Sequence, residues 1–300
     1  MEAEYRPLAP GLWGVLVTPF KGWDMEVDTL SLKREVAYFR SVGASGLVAL
    51  GVMGEGARLS PEEQGVVLDT VAEAAAGLPL VVGVNGLETD GVIASATRLV
   101  SKRESIEAVM VLVNSPNPEL LARHLRDVCH EVGRGVVVQD YPAHSGIEIA
   151  QDDLAEAVNA CGTAVAVKSE APPTAPAIAH LVPNVSVPVF GGLGGVGLLD
   201  ELLAGAAGAM TGFSHPEGLL ETINAFNEQG FDAAWRAWQQ WLPLANFEAQ
   251  AGIGLALRKA SLQRRGIIDD AMVRPPAQVV PEALMSMTDR HLAVVSARRR

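Results

Sequence analysis

Ala164-Val165-Ala166-Val167-Lys168-Ser169-Glu170-Ala171-Pro172-Pro173 is an apolar run closed by a lysine. Small and β-branched residues in series read as a buried strand, and the prolines bring it to a stop. A lysine at the end of a buried strand is costly, because desolvation disfavours its charged form. The same desolvation makes its amine a nucleophile toward carbonyl carbons. Taken alone, the position also admits a lysine that is merely partnered or reaches back to water. The order of elements around it separates the two readings.

Outward from this strand the same pattern recurs. Apolar runs at Leu12–Phe20, Gly46–Gly51, Leu80–Asn85, Ala108–Asn114, Val136–Tyr141, Val187–Phe190 and Ala209–Phe213 bring the strands to eight. Most are apolar throughout rather than alternating, as expected where parallel neighbours and helices cover both faces. Helical stretches separate them. Ser60-Pro61-Glu62-Glu63 is a capping box with proline at the first helical position. Asn117-Pro118-Glu119 and Asp28-Thr29-Leu30 are further helix starts. Eight βα units in about 215 residues predict an α/β fold, a TIM (β/α)8 barrel. The barrel is expected over residues 1–230, with a C-terminal helical extension over 231–300. Helices are expected at Phe231–Phe247, Ala249–Arg265 and Pro281–Ala297, one of them completing the eighth unit. A doubly wound open sheet is the rival arrangement.

Composition narrows the function. The formal charge is −12, and the only basic run is the terminal Arg298-Arg299-Arg300, so nucleic acid is not the expected partner. Two cysteines, Cys129 and Cys161, make neither a disulfide framework nor a zinc spacing, and the histidines show no ligand spacing. No metal and no cofactor is expected. No stretch approaches the ~18 apolar residues of a membrane span, and Met1-Glu2-Ala3-Glu4 does not read as a signal peptide. A soluble, cytoplasmic protein is expected.

In such a barrel the chemistry sits at the C-terminal ends of the strands. Lys168 ends strand six, with Ala164 and Ala166 expected on its side of the strand, leaving room for a long inward side chain. Strand two ends in Gly51-Val52-Met53-Gly54-Glu55-Gly56, whose free N–H groups suit a carboxylate, or which is a plain turn. Strand five ends in Gln139-Asp140-Tyr141-Pro142; period two puts Gln139 and Tyr141 on one side, so Tyr141 relays protons near Lys168 or packs at a loop. Glu170 shares the parity of Lys168, and either pairs with its ammonium and moves protons or is a solvated loop acid. His144 either binds an anionic substrate or lies on the surface. Gly192, Gly194 and Gly197 satisfy GxGxxG after strand seven, but so late in the chain that close approach of backbone to a small acid is preferred over dinucleotide binding. Met210 on strand eight is a further expected substrate contact. Trp235, Trp238 and Trp241 read as helix packing or an oligomer contact.

With these residues placed, the chain resembles the dihydrodipicolinate synthase / N-acetylneuraminate lyase family of class I aldolases, from about Leu12 to about Ile267. The resemblance rests on Gly14-Val15-Leu16-Val17-Thr18-Pro19-Phe20, Gly51–Glu55 before Leu59-Ser60, the Pro142…Gly146 turn, Lys168 and the glycine-rich loop after strand seven. It implies a barrel with a C-terminal helical domain, Schiff-base chemistry on pyruvate or a related 2-oxo acid with Lys168 forming the imine, and a homotetramer or homodimer. The departures are specific. Val52-Met53 replaces the hydroxyl pair of Gly-Thr-Thr-Gly-Glu, Gln139 holds the place of the family's tyrosine, and His144 matches the synthase arginine. Strand four ends in Val113-Asn114-Ser115-Pro116, without the tyrosines of the synthase relay. The expectation is a divergent Schiff-base lyase of aldolase, synthase or dehydratase type. Lys168, Tyr141 and Glu170 would be catalytic, with Val52, Met53, Gln139, His144, Gly192 and Met210 contacting the substrate. The alternatives are a catalytically silent 2-oxo-acid binding protein on the same barrel, and a NAD-dependent barrel enzyme.

Overall fold

The computed structural model describes residues 5–298; residues 1–4 and 299–300, and with them most of the terminal arginine run, lie outside the described residues. The strands are β1 (Gly11–Val15), β2 (Phe20–Lys21), β3 (Glu26–Val27), β4 (Gly46–Ala49), β5 (Leu80–Val84), β6 (Ile106–Leu112), β7 (Gly135–Asp140), β8 (Ala164–Ser169), β9 (Val189–Gly191) and β10 (Gly208–Thr211). Eight of them close into a parallel barrel in the order β1-β10-β9-β8-β7-β6-β5-β4, and β2 and β3 form a separate two-stranded ribbon. Every apolar run singled out in the sequence supplies one barrel strand. The first is shorter than expected: it ends at Val15, and Phe20 belongs to the ribbon, pairing with Val27.

Local signals set the helix starts. Ser60 and Glu63 make a reciprocal capping box at the helix Pro61–Ala75, a device that stabilises a helix start by about 1 kcal/mol. The Asn117 side chain accepts from Leu120 N–H, and Asp28 accepts from Leu30 and Ser31 N–H.

The inward faces form one cluster inside the barrel, including Trp13, Val48, Val81, Ala108, Met110, Val137, Ala166, Phe190 and Met210. Val136 faces Ala164 and Val137 faces Ala166, so Val165 is an extra residue, a bulge. The bulge turns Val165 into the interior with Ala166 and leaves Ala164 against the outer layer. Ala164 therefore does not share the side of Lys168, contrary to the simple period-two expectation.

The eighth unit is completed by the helix Pro216–Gln229, before the segments expected to do so. Beyond it, the expected helix Phe231–Phe247 divides into Phe231–Trp238 and Leu242–Glu248, followed by Gly254–Arg264 and Glu282–Arg298. Trp238 and Trp241 are fully buried and pack with Leu244 and Leu257 against Leu12, Ala209, Phe213 and Leu219, so these helices share a core with the barrel. At roughly 25 cal/mol per Å² and 150–250 Å² per indole, each contributes about 4–6 kcal/mol as an upper value. Trp235, by contrast, stays half exposed.

A buried charge pins the helix Gly254–Arg264 to the barrel. Lys259 Nζ, without exposure, donates to Glu55 Oε1 at 2.6 Å, to Thr18 O at 2.7 Å and to Met272 O at 2.7 Å, and stands 4.3 Å from the Phe20 ring centroid. Glu55 also accepts from the Arg274 backbone N–H at 2.9 Å and from Arg58 at 3.2 Å. Thr18 in turn donates to Gly54 O at 2.6 Å. The Thr18-Pro19-Phe20 and Gly51–Glu55 motifs thus meet at one joint. It carries the neighbouring Arg258 to the barrel mouth.

Candidate active site

A cavity of about 630 Å³ opens at the C-terminal end of the barrel, and its lining includes Lys168, Glu170, Gln139, Tyr141, Val52, Met53, Thr211 and Arg258. Lys168 and Gln139 are direct register partners on adjacent strands, so parallel pairing alone sets their side chains beside each other on the inner face. Glu170 lies one residue past the end of β8, and its N–H donates to Asp140 O at 2.8 Å, which fixes the chain as it leaves the sheet.

The Glu170 carboxylate is held on three sides. Its Oε2 lies 3.0 Å from Lys168 Nζ and accepts from Gln139 Nε2 at 2.7 Å, while its Oε1 accepts from Leu193 N–H at 3.2 Å. Both members of the ion pair are buried, Lys168 with 6% and Glu170 with 5% exposure. Removing either partner would leave the other charge buried and uncompensated, which is costly. Gly192 makes the arrangement possible, since a Cβ there would stand 2.3 Å from Glu170 Oε1. That is the work of this glycine: it makes room for a carboxylate of the chain itself. It is not among the residues that line the cavity.

The other expected residues distribute as follows. Gln139 and Tyr141 both face the cavity and Asp140 faces away, accepting from Gln151 Nε2 at 3.2 Å. Tyr141 lies in the cavity wall, its ring stacked on His144 with centroids 5.9 Å apart. Burial, and then the charge of Glu170, push its phenol above the usual range. No hydrogen bond joins its hydroxyl to Lys168 or Glu170 among the described residues. His144 itself is exposed and outside the lining. Val52 and Met53 begin the short turn of 3-10 helix Val52–Gly54, whose opening N–H groups have no partner within the turn. Met210 is fully buried in the barrel interior, one residue below Thr211, and lies outside the cavity lining.

Several groups escaped the sequence reading. Thr211 Oγ1 accepts from Gly194 N–H at 2.8 Å and holds the loop after β9 against the mouth. Glu248, buried, accepts from Ser214 N–H at 3.1 Å and from Ser214 Oγ at 2.5 Å, and burial raises its carboxyl. Arg258 approaches from the C-terminal helix. A signal for it exists: Arg258-Lys259 interrupts the otherwise uncharged and mostly apolar Ile253–Leu262 stretch, where a helix without a charged face must bury its charges.

Residues 9–292 match the model of the dihydrodipicolinate synthetase family. The chain is 28% identical over 289 residues to an L-2-keto-3-deoxyarabonate dehydratase of Azospirillum brasilense, covering 92% of this chain and 91% of that one. Among solved structures, a dihydrodipicolinate synthase from Rhodopseudomonas palustris superposes with a TM-score of 0.87 at 25% identity, covering 98% of this chain and all of the other. A catalytic-lysine mutant of the Ruminococcus gnavus sialic acid aldolase, at 17% identity, is alike in fold alone, with a TM-score of 0.85 over 98% of each chain.

Proposed function

The chain belongs to the dihydrodipicolinate synthetase family, and we propose that it is a Schiff-base lyase in which Lys168 condenses with the 2-oxo group of pyruvate or a related 2-oxo acid. The observation that carries this reading is the buried Lys168–Glu170 pair, 3.0 Å apart, in the wall of the cavity at the barrel mouth. The Lys168 ammonium hands a proton to Glu170, and the free amine adds to the 2-oxo carbon, one of the two protons on the added nitrogen passing to the former carbonyl oxygen to give the carbinolamine. Glu170 returns its proton to the hydroxyl of the carbinolamine, which leaves as water. The iminium so formed draws electrons from the next carbon, so a proton can leave there and a bond one carbon further on can break. Gln139 Nε2 and Leu193 N–H keep the carboxylate aimed through these transfers. Tyr141 serves as the second proton carrier from the cavity wall, and the Val52 and Met53 N–H groups hold the substrate carboxylate.

Likeness to the Azospirillum dehydratase over nine-tenths of both chains supports elimination of water from a hydroxylated 2-oxo acid. A cytoplasmic homodimer or homotetramer belongs to the same reading, supported by the exposed apolar side chains of Trp23 and Leu30, which an interface would cover. Molar mass from light scattering checks the oligomer. Borohydride reduction with pyruvate and a panel of 2-oxo acids, followed by intact mass, tests the chemistry. A reduced adduct on the wild type and none on Lys168→Ala is expected; no adduct with any acid would overturn the reading.

A further inference from the structure

Arg258 is buried, 5% exposed, yet it lines the same cavity as Lys168. Its guanidinium occupies space left by glycines. A Cβ at Gly212 would stand 3.0 Å from Nη1, and one at Gly194 would stand 3.2 Å from Nη2. Its counter-charge is Glu248, with Nε 3.7 Å from Oε2, too far for a hydrogen bond. Both Glu248 oxygens are engaged by Ser214. Arg258 Nε has no hydrogen-bond partner at all among the described residues. The site therefore balances the charge of the guanidinium and leaves its hydrogen-bonding fork unmade. A buried guanidinium nitrogen without a partner is expensive, and a carboxylate is the group whose two oxygens match the planar fork that Arg258 presents to the cavity.

Arg258 and the imine position bound one ligand space. Gly194 lies beside Arg258, the adjoining Leu193 N–H donates to Glu170, and Glu170 pairs with Lys168. Asn246 and Gln250 add amide groups to the wall of the same cavity. The volume, about 630 Å³, is far more than a three-carbon acid fills. Arg258 stands over the ends of β9 and β10, whereas the Val52–Gly54 turn follows β4. The turn, Lys168 and Arg258 all line the one cavity, so a single molecule bound there can meet all three.

We propose that Arg258 is a second carboxylate site of this cavity, and that the substrate is a 2-oxo acid bearing a further carboxylate at the far end of its chain. The proposal rests on the imine reading for Lys168 and adds the substrate class to it.

The test compares matched pairs in which only the terminal carboxylate differs: 2-oxoglutarate with 2-oxopentanoate, and 2-oxoadipate with 2-oxohexanoate. The concentration giving half-maximal borohydride-trapped adduct is read by intact mass. In the wild type the diacid of at least one pair is expected to trap at about tenfold lower concentration than its partner, the scale of a charge-assisted bond. In Arg258→Gln that ratio should fall toward one. Since this variant leaves Glu248 buried without a counter-charge, the double variant Glu248→Gln/Arg258→Met is measured beside it, with thermal melts of both. If Arg258 only docks the helix, the ratio keeps its wild-type value in whichever variant folds, and the proposal fails. It fails equally if wild type traps monoacids and diacids alike. Failure of the imine reading looks different: no acid, pyruvate included, gives an adduct. Calorimetry of the same pairs on Lys168→Ala then decides, because a carboxylate site at Arg258 still favours the diacid and its absence does not.

Discussion

Gly192→Ala isolates the positioning of Glu170 from its chemistry. The new methyl would stand 2.3 Å from Glu170 Oε1 and 2.6 Å from its Cδ, short of the 3.4 Å of ordinary contact by roughly 1 Å at the oxygen. A carboxylate displaced by that amount cannot keep its bonds of 2.7, 3.0 and 3.2 Å to Gln139, Lys168 and Leu193 together. A misplacement of about 1 Å in a reacting group costs on the order of 10²-fold in rate. At 1.36 kcal/mol per decade that is about 2.7 kcal/mol of barrier. The assay is the rate of imine formation with pyruvate, sampled by timed borohydride quench and intact mass. Gly91→Ala serves as the control, because a Cβ there meets nothing within 4 Å. A Gly192→Ala protein that melts like wild type and forms the imine at the wild-type rate would refute the role given to Glu170.

Two stability predictions follow from the buried charges. Burial pushes the Glu35 carboxyl up from 4.5 to about 8, against the opposing Val17 N–H bond and the charges of Lys259 and Arg258. The folded state then holds a proton that the unfolded chain has lost, so stability falls as pH rises between 4.5 and about 8. Glu201, raised by burial to about 7, acts in the same direction. Glu35→Gln should flatten the fall of Tm across that window and leave the variant more stable than wild type at its upper end. Equal slopes for the two proteins would rule out Glu35 as the source. Lys259→Met leaves Glu55 buried with a reduced set of partners and should cost about 3–5 kcal/mol in urea unfolding, with much of the loss recovered by Glu55→Gln in the same chain. A loss below about 1 kcal/mol would mean that the pair behaves like an exposed one.

The strands were legible because their signal is local. A buried parallel strand needs a short apolar run, and each of the eight carries one. Capping at Asp28, Ser60 and Asn117 is likewise written within a few residues of each helix start. Parity along a strand put Gln139 with Tyr141, and Lys168 with Glu170, on common sides, and the cavity gathers all four. The same rule failed at Ala164, because the bulge at Val165 arises from the register between β7 and β8, which neither strand states by itself.

By itself, then, the sequence determined the barrel and the lysine at the end of its sixth strand. Periodicity, caps and the desolvation of a charged residue are properties of neighbours in the chain. Only the tertiary structure decided what surrounds that lysine. Gly192 proved to be the space for Glu170, Glu55 the anchor of a helix two hundred residues later, and Arg258 a wall of the cavity. Each of these depends on a helix or loop laid across the mouth after the barrel has closed, and contacts made through space between distant segments leave no period in the chain that could announce them.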